Sequence, residues 1–236
     1  MKSLSIDIYS DGADIGKMKE SYESGKVSGF TTNPSLMKKA GITSYTEFAQ
    51  EVVTEFPDVP ISFEVFSDDF DVMREEALKI SKCGNNVFVK IPITNTKGES
   101  SIPLIQELSK EGLSLNVTAI LTIDQVKETV DAFAEGTTNI VSVFAGRIAD
   151  TGVDPIPTMK ESVKICRKKP GTKLLWASSR EVLNIFQAEE VGADIITCTP
   201  DLIAKLKNVG KDLEELSLDT VKMFNTDIKS LGYSIL

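Results

Sequence analysis

A lysine inside an apolar stretch is the residue of this chain whose type and position most directly suggest chemistry. Lys90 lies within Asn86–Thr94, a nearly continuous apolar run with polar or glycine residues at both ends. Such a run predicts a strand that is buried on both faces, as in a parallel sheet. A buried amine that loses its charge is a nucleophile toward carbonyl groups and can form a Schiff base. The alternative is a lysine that extends its amine along the strand to solvent.

The chain contains no histidine. This excludes Ser-His-Asp and Cys-His catalysis and histidine metal sites, and it leaves Lys, Asp, Glu and Tyr for proton transfer. The cysteines Cys83, Cys166 and Cys198 are far apart and form no CxxC pair, so a cysteine zinc site and a disulfide framework are not expected. We therefore expect no histidine or cysteine metal site, and the reducing cytoplasm as the compartment.

The net charge of −9 over 236 residues argues against nucleic acid and anionic membrane surfaces as partners. It leaves a phosphorylated substrate open, because a few local arginines can bind phosphate within an acidic protein. We find no apolar run long enough to span a bilayer, and residues 1–3 lead straight into a strand pattern, so we expect no signal peptide.

Short apolar runs alternate with longer amphipathic segments along the whole chain. We expect strands at Leu4–Tyr9, Val27–Thr31, Ile61–Phe66, Asn86–Ile91, Leu113–Ala119, Asn139–Phe144, Lys173–Ala177 and Asp194–Cys198. We expect helices at Asp14–Ser24, Ser35–Ala40, Ser44–Glu55, Asp69–Lys82, Ser101–Glu111, Ile123–Ala134, Ile156–Arg167, Ser179–Val191, Pro200–Lys207 and Leu218–Leu231.

Eight strand–helix units without a linker predict one (β/α)8 TIM barrel over residues 1–236, of which residues 211–236 form a C-terminal helical extension. A doubly wound open sheet is the alternative, but the chain has no GxGxxG. The last helix lies beyond the eighth unit, so its apolar face must pack on its own barrel or on a partner subunit.

Active sites of TIM barrels lie at the C-terminal ends of the strands. Each polar residue found there could, taken alone, be a turn, a cap or a surface charge. Together they fall on at least six successive units, and we therefore expect them to face one cavity. They include Asp11, Thr32, Asn33, Glu64, Lys90, Asn116, Thr118, Ser142, Arg147, Ser178 and Arg180.

Several of these residues lie in blocks that resemble the transaldolases, in particular the short bacterial subfamily that includes fructose-6-phosphate aldolase. The resemblance runs from about Asp11 to the end of the chain. The blocks, in order, are Gly29–Ser35, Val89–Pro92, Asn116–Thr118, Ser142–Arg147 and Ala177–Arg180.

The resemblance implies a role for each site residue. Lys90 is similar to the Schiff-base lysine, and Asp11 to the general acid/base at the hydroxyl next to the breaking C–C bond. Glu64 and Thr118 resemble the pair that holds a water for proton relay. The remaining roles are binding of the three-carbon dihydroxyacetone fragment by Asn33, Asn116 and Ser142, and binding of phosphate by Arg147, Ser178 and Arg180. Thr32 and Phe144 are also expected to bind substrate, and the resemblance implies that no metal or other cofactor is needed.

Within this family, transferases and simple aldolases differ at two positions. The aldolase has glutamine and tyrosine where this chain has Glu64 and Phe144. The resemblance thus implies transfer of a dihydroxyacetone unit between sugar phosphates, as in the pentose phosphate pathway, by a homo-oligomer that is a pentamer or decamer. A fructose-6-phosphate aldolase-like activity and a non-catalytic barrel that binds sugar phosphate remain as alternatives.

Overall fold

A computed structural model describes residues 4–233 and 235 of the chain. Its centre is a closed barrel of eight parallel strands, in which each strand pairs with the next and β8 pairs with β1. The strands are β1 (Asp7–Asp11), β2 (Gly29–Thr31), β3 (Ile61–Glu64), β4 (Val87–Pro92), β5 (Leu115–Ile120), β6 (Asn139–Val143), β7 (Thr172–Trp176) and β8 (Ile195–Cys198). The predicted (β/α)8 barrel is confirmed, and the open sheet is wrong.

Helices surround the barrel and connect its strands. They are α1 (Ile15–Glu23), α2 (Pro34–Lys39), α3 (Tyr45–Glu55), α4 (Phe70–Ser81), α5 (Ile102–Lys110), α6 (Ile123–Ala132), α7 (Ala145–Asp150), α8 (Ile156–Cys166), α9 (Leu183–Val191), α10 (Pro200–Ala204) and α11 (Leu213–Ser230), with a 3₁₀ turn at Lys205–Asn208. Within the described part of the chain, none of these helices combines the length and the apolar character needed to cross a bilayer.

Helix starts follow local capping chemistry. The side chains of Asp14, Asn33 and Ser44 each accept a hydrogen bond from a backbone N–H in the first turn of α1, α2 and α3. Thr122 and Gln125 form a full capping box at the start of α6. These contacts satisfy N–H groups that have no partner inside the helix, and so they set where each helix begins.

Among the differences from the prediction, two boundaries and one additional helix affect the C-terminal end of the barrel. Strand β1 covers Asp7–Asp11 rather than Leu4–Tyr9, so Asp11 is its last residue. Helix α9 begins at Leu183 rather than at Ser179, because the preceding loop folds over the barrel mouth, where the Ser179 hydroxyl donates to the Thr197 carbonyl. Helix α7 is short and was not predicted.

Two apolar layers form the core. The large outer layer packs between strands and helices. The small inner layer fills the barrel and consists of Tyr9, Ile140, Leu175, Ala177 and Ile195, with Phe88 and Phe144 packed against it. Because side chains alternate along a strand, the residue two positions after an inner one also points into the barrel. That rule places Asp11, Lys90, Ser142 and Thr197 above Tyr9, Phe88, Ile140 and Ile195.

Helix α11 differs from the other long helices, because none of its residues is buried. It extends five residues further toward the N-terminus than predicted, and Asp212 caps it through the N–H groups of Glu214 and Glu215. Large apolar side chains on it are about half exposed, among them Val221, Phe224 and Ile228. The predicted extension runs to residue 236, and residues 234 and 236 lie outside those described, as do residues 1–3 of the signal-peptide prediction.

Candidate active site

Lys90 points into the barrel from β4 and is almost completely buried. The parallel register pairs Glu64 of β3 with Lys90, so the two side chains are neighbours. Lys90 Nζ lies 3.1 Å from Glu64 Oε2 and donates to the Thr32 carbonyl oxygen at 3.2 Å. The Lys90 side chain is 8% exposed, so the alternative of an amine that reaches solvent is wrong. A buried ammonium needs this carboxylate partner, because an unpaired charge in the interior is costly.

Asp11 ends β1 at the same level of the barrel. Its carboxylate accepts a hydrogen bond from the Thr31 hydroxyl at 2.7 Å, and the Thr31 and Thr197 hydroxyls lie 2.6 Å apart. Burial raises the pKa of Asp11 above its ordinary value, against the opposing effects of the Lys90 charge and the Thr31 hydrogen bond. A carboxyl group with a raised pKa can both take up and return a proton, which general acid/base catalysis requires.

Asn116 lies one layer deeper than predicted and does not line the cavity. Its amide nitrogen donates to the Ser62 hydroxyl at 2.9 Å, and its oxygen accepts from the Ser142 hydroxyl at 2.6 Å. All three residues are buried. The chain of hydrogen bonds fixes the orientation of Ser142, which does line the cavity.

The two threonines among the predicted site residues contribute different groups to the site. Thr118 lines the cavity, and its buried hydroxyl has no hydrogen-bond partner among the described residues. Thr32 contributes its backbone carbonyl to Lys90, and its side chain is buried outside the cavity lining.

The predicted phosphate-binding residues follow β6 and β7, with Arg147 in helix α7 and Ser178 in the loop after β7. Arg147 and Ser178 line the cavity. Ser178 adopts a left-handed backbone with φ 61°, and a Cβ on Gly146 would overlap its carbonyl oxygen. Only glycine fits there, because the start of α7 lies directly against the loop after β7.

Arg180 is placed differently from the prediction that it faces the cavity. Its guanidinium forms an ion pair with Asp150 of α7, and both side chains are about half exposed. Arg180 is not among the cavity-lining residues. The cause is local, because α7, which was not predicted, brings a carboxylate beside the guanidinium.

The cavity at this end of the barrel has a volume of about 510 Å³. It is lined by nine of the twelve predicted site residues: Asp11, Asn33, Glu64, Lys90, Thr118, Ser142, Phe144, Arg147 and Ser178. The structure thus brings these nine residues to one cavity, whereas Thr32, Asn116 and Arg180 are not part of its lining.

Sequence reasoning missed Thr197 and Ala119, which also line the cavity. Alternation along β8 could have found Thr197, which lies two residues after the inner-layer Ile195. Ala119 has φ 61° at an irregularity in β5, between Val117 and Ile120. Alanine rarely adopts this backbone, so its residue type carried no signal.

Cys198, at the end of β8, is held as a neutral thiol. Burial raises the pKa of Cys198 to about 11, with a smaller contribution from Asp11 and against a hydrogen bond from Ser179, so this thiol is neutral near pH 7. Within residues 4–233 and 235, no group of three or more Cys, Asp or Glu side chains is placed to hold a metal ion.

The sequence of this chain is similar to one protein family and to curated proteins that carry the same family name. The family model described as "Transaldolase/Fructose-6-phosphate aldolase" matches residues 8–235. A probable transaldolase of Caldicellulosiruptor saccharolyticus is 38% identical over 194 residues, which cover 81% of this chain and 85% of that protein. A probable transaldolase of Nitrosopumilus maritimus is 32% identical over 236 residues, covering 95% of this chain and 100% of that protein.

Solved structures resemble the chain in fold. KGPDC from Streptococcus mutans has a TM-score of 0.53 at 13% identity, covering 84% of this chain and 88% of that one. A 2,3-dimethylmalate lyase has a TM-score of 0.58 at 11% identity, covering 99% of this chain and 86% of that one. At such low identity the likeness is one of barrel architecture.

Proposed function

We propose that this chain, which belongs to the transaldolase/fructose-6-phosphate aldolase family, transfers a dihydroxyacetone unit from a ketose phosphate to an aldose phosphate through a Schiff base on Lys90. The observation that carries the proposal is the buried Lys90 amine, 3.1 Å from Glu64, on a cavity that Asp11 also lines. A binding protein has no need of a buried amine beside two carboxylates.

The reaction begins at the amine. Neutral Lys90 adds to the C2 carbonyl of fructose 6-phosphate or sedoheptulose 7-phosphate, and loss of water gives a protonated imine. Glu64 and Thr118 act on the proton transfers of this step through a water. Their support is their position, since the Glu64 carboxylate contacts the amine and Thr118 lines the cavity with a hydroxyl that has no partner among the described residues.

Cleavage follows when the Asp11 carboxylate takes the proton of the C4 hydroxyl. The C3–C4 bond breaks, its electron pair moves into the imine to give an enamine, and the aldehyde phosphate leaves. An acceptor aldehyde phosphate then enters, the enamine attacks its carbonyl carbon, and Asp11 returns the proton. Hydrolysis of the new imine releases the product and regenerates Lys90.

Substrate contacts divide along the cavity. Asn33 and Ser142 bind the three-carbon fragment near Lys90, and Asn116 holds Ser142 in place from below. Arg147 and Ser178 bind the phosphate, and Arg180 joins them once it releases Asp150. Phe144 lines the space between these groups and, like Glu64, is the residue type of the transferases.

A borohydride experiment tests this function. We expect reduction in the presence of fructose 6-phosphate to leave a three-carbon adduct on Lys90, identified by peptide mass spectrometry. Erythrose 4-phosphate added before the reductant should deplete the adduct, because the acceptor removes the fragment. Release of free dihydroxyacetone without an acceptor would instead support the simple aldolase, and an unmodified Lys90 across a panel of ketose phosphates would support the non-catalytic barrel.

The proposal extends to assembly, compartment and pathway. The exposed apolar side chains of α11 support a homo-oligomer, a pentamer or decamer, in which this helix is covered. Light scattering should show a smaller particle for Phe224→Asp.

Three free cysteines fit the reducing cytoplasm, and the pentose phosphate pathway supplies substrates of the proposed kind.

A further inference from the structure

The end of β3 contains a gap in the hydrogen-bond ladder beside the proposed catalytic carboxylate. Along the β2–β3 pair, Phe30 N–H donates to the Pro60 carbonyl at 2.8 Å, and Thr32 N–H donates to the Ser62 carbonyl at 3.1 Å. The same two-residue step would bring the N–H of residue 34 to the Glu64 carbonyl. That residue is Pro34, which has no N–H and starts α2.

Tyr45 fills this gap from outside the barrel. Its hydroxyl donates to the Glu64 carbonyl oxygen at 2.8 Å. Tyr45 is the first residue of α3, and its ring packs edge-on against Phe66, with centroids 4.9 Å apart. Burial, with smaller effects of Cys83, Glu64 and Glu76, raises the pKa of Tyr45 above its ordinary value, so the hydroxyl keeps its proton and remains a donor.

We infer that Tyr45 is a positioning residue, which holds the carboxylate of Glu64 against Lys90 by taking the place of the ladder donor that Pro34 lacks. On one side of Glu64, the following Val65 N–H donates to the Lys90 carbonyl at 3.1 Å. On the other side, the Tyr45 hydroxyl fixes the position of the Glu64 carbonyl oxygen by donating a hydrogen bond to it. The inference rests on the proposed function for its catalytic consequence, and on geometry alone for the position of Glu64.

Tyr45→Phe removes the hydroxyl and keeps the ring. The matched control is Tyr22→Phe, which removes the same hydroxyl from a partly exposed tyrosine of α1. The Tyr22 ring packs on Phe56. Single-turnover trapping with fructose 6-phosphate and borohydride should show adduct formation at Lys90 slowed roughly 3- to 10-fold in Tyr45→Phe, as loss of one hydrogen bond predicts. The half-saturating sugar concentration should not change, because Tyr45 does not line the cavity.

A second measurement needs no sugar. Cyanate carbamylates lysine amines, and an amine held 3.1 Å from a carboxylate reacts more slowly than one that has lost this contact. We expect faster carbamylation of Lys90 in Tyr45→Phe than in the unmodified chain or Tyr22→Phe, read by peptide mass spectrometry.

The outcomes separate the two hypotheses. If the unmodified chain forms no adduct with any ketose phosphate, the proposed function fails, and carbamylation alone decides the role of Tyr45. If Tyr45→Phe lowers the melting temperature but leaves both rates at Lys90 equal to those of Tyr22→Phe, the hydroxyl only stabilises the fold and the inference is overturned.

Discussion

Two sides of the central cavity hold their charged groups by different means. On the lysine side, Lys90 and Glu64 are 8% and 17% exposed and are joined by strand pairing. On the arginine side, Arg180 pairs with Asp150, and these side chains are 49% and 51% exposed. Breaking a buried pair costs about 3–5 kcal/mol, whereas an exposed pair contributes about 0.2–1 kcal/mol. The lysine side is therefore preorganised, and the arginine side can exchange partners at little cost.

The largest expected effect comes from removing the amine. Lys90→Met should abolish transfer and the borohydride-trapped adduct, because no other buried amine is available on the cavity lining described by the structure. It should also lower the melting temperature, since Glu64 loses its partner. Lys110→Met, on the surface, is the control and should behave like the unmodified chain. Residual adduct on another lysine would show that the lysine side is not the site of covalent chemistry.

Asp11→Asn should separate imine formation from cleavage. We expect the rate of transfer to fall about 10²- to 10⁴-fold, because the base at the C4 hydroxyl is lost. Lys90 is still present, so borohydride should now trap the intact six-carbon phosphate instead of the three-carbon fragment. A three-carbon adduct formed at the original rate would show that another group takes the proton.

The same substitution has a consequence for stability. The pKa of Asp11 is raised in the folded chain, so the folded chain holds this proton to higher pH than the unfolded chain does. Ionisation therefore costs stability as the pH rises through the window between the ordinary and the raised pKa. We expect Asp11→Asn to melt at a higher temperature than the unmodified chain at pH 7. The difference should vanish below the ordinary aspartate range, and transfer by the unmodified chain should slow as the pH falls through the raised pKa.

Substitutions on the arginine side should affect binding rather than chemistry. Arg147→Gln should raise the KM for ketose phosphate about 10- to 100-fold, as loss of a charged hydrogen bond predicts, with a smaller change in kcat. Arg180→Gln should give a smaller rise, and Asp150→Asn, which frees Arg180, should lower the KM a few-fold. An equal fall in kcat for all three variants would contradict the division between the two sides.

The smallest expected effects come from the two left-handed residues, one on each side. Ala119→Gly and Ser178→Gly should each stabilise the fold by about 0.5–1 kcal/mol, or roughly 1–4 °C in melting temperature, because glycine adopts φ 61° without a Cβ penalty. Ala40→Gly, at a right-handed backbone position, should destabilise and serves as the control. Ser178→Gly should also raise the KM, because the hydroxyl on the arginine side is lost.

The sequence predicted the lysine side of the cavity better than the arginine side. Lys90, Glu64 and Asp11 lie on strands, where alternation and the barrel rule fix both depth and direction, and all three were placed on one cavity. Arg180 lies on a loop, where no periodicity applies, and its partner Asp150 belongs to a helix too short to show a pattern. The depth of Asn116 also escaped prediction, because it depends on the hydroxyls of Ser62 and Ser142 on other strands. Tyr45 gave no signal, since its contact with Glu64 follows from the missing N–H of Pro34.

The pairing of β1 with β8 makes the surroundings of Asp11, the proposed acid/base residue, depend on the last strand to be synthesised. Asp11 leaves the ribosome early, but the Thr31 hydroxyl that binds it is itself linked to Thr197 on the last strand. A nascent chain that ends before β8 therefore has an incomplete network at Asp11 and presents β1 and β7 as open strand edges, which invite pairing with other chains. Because the network at Asp11 needs the last strand, we expect the proposed activity to arise only when β8 closes the barrel.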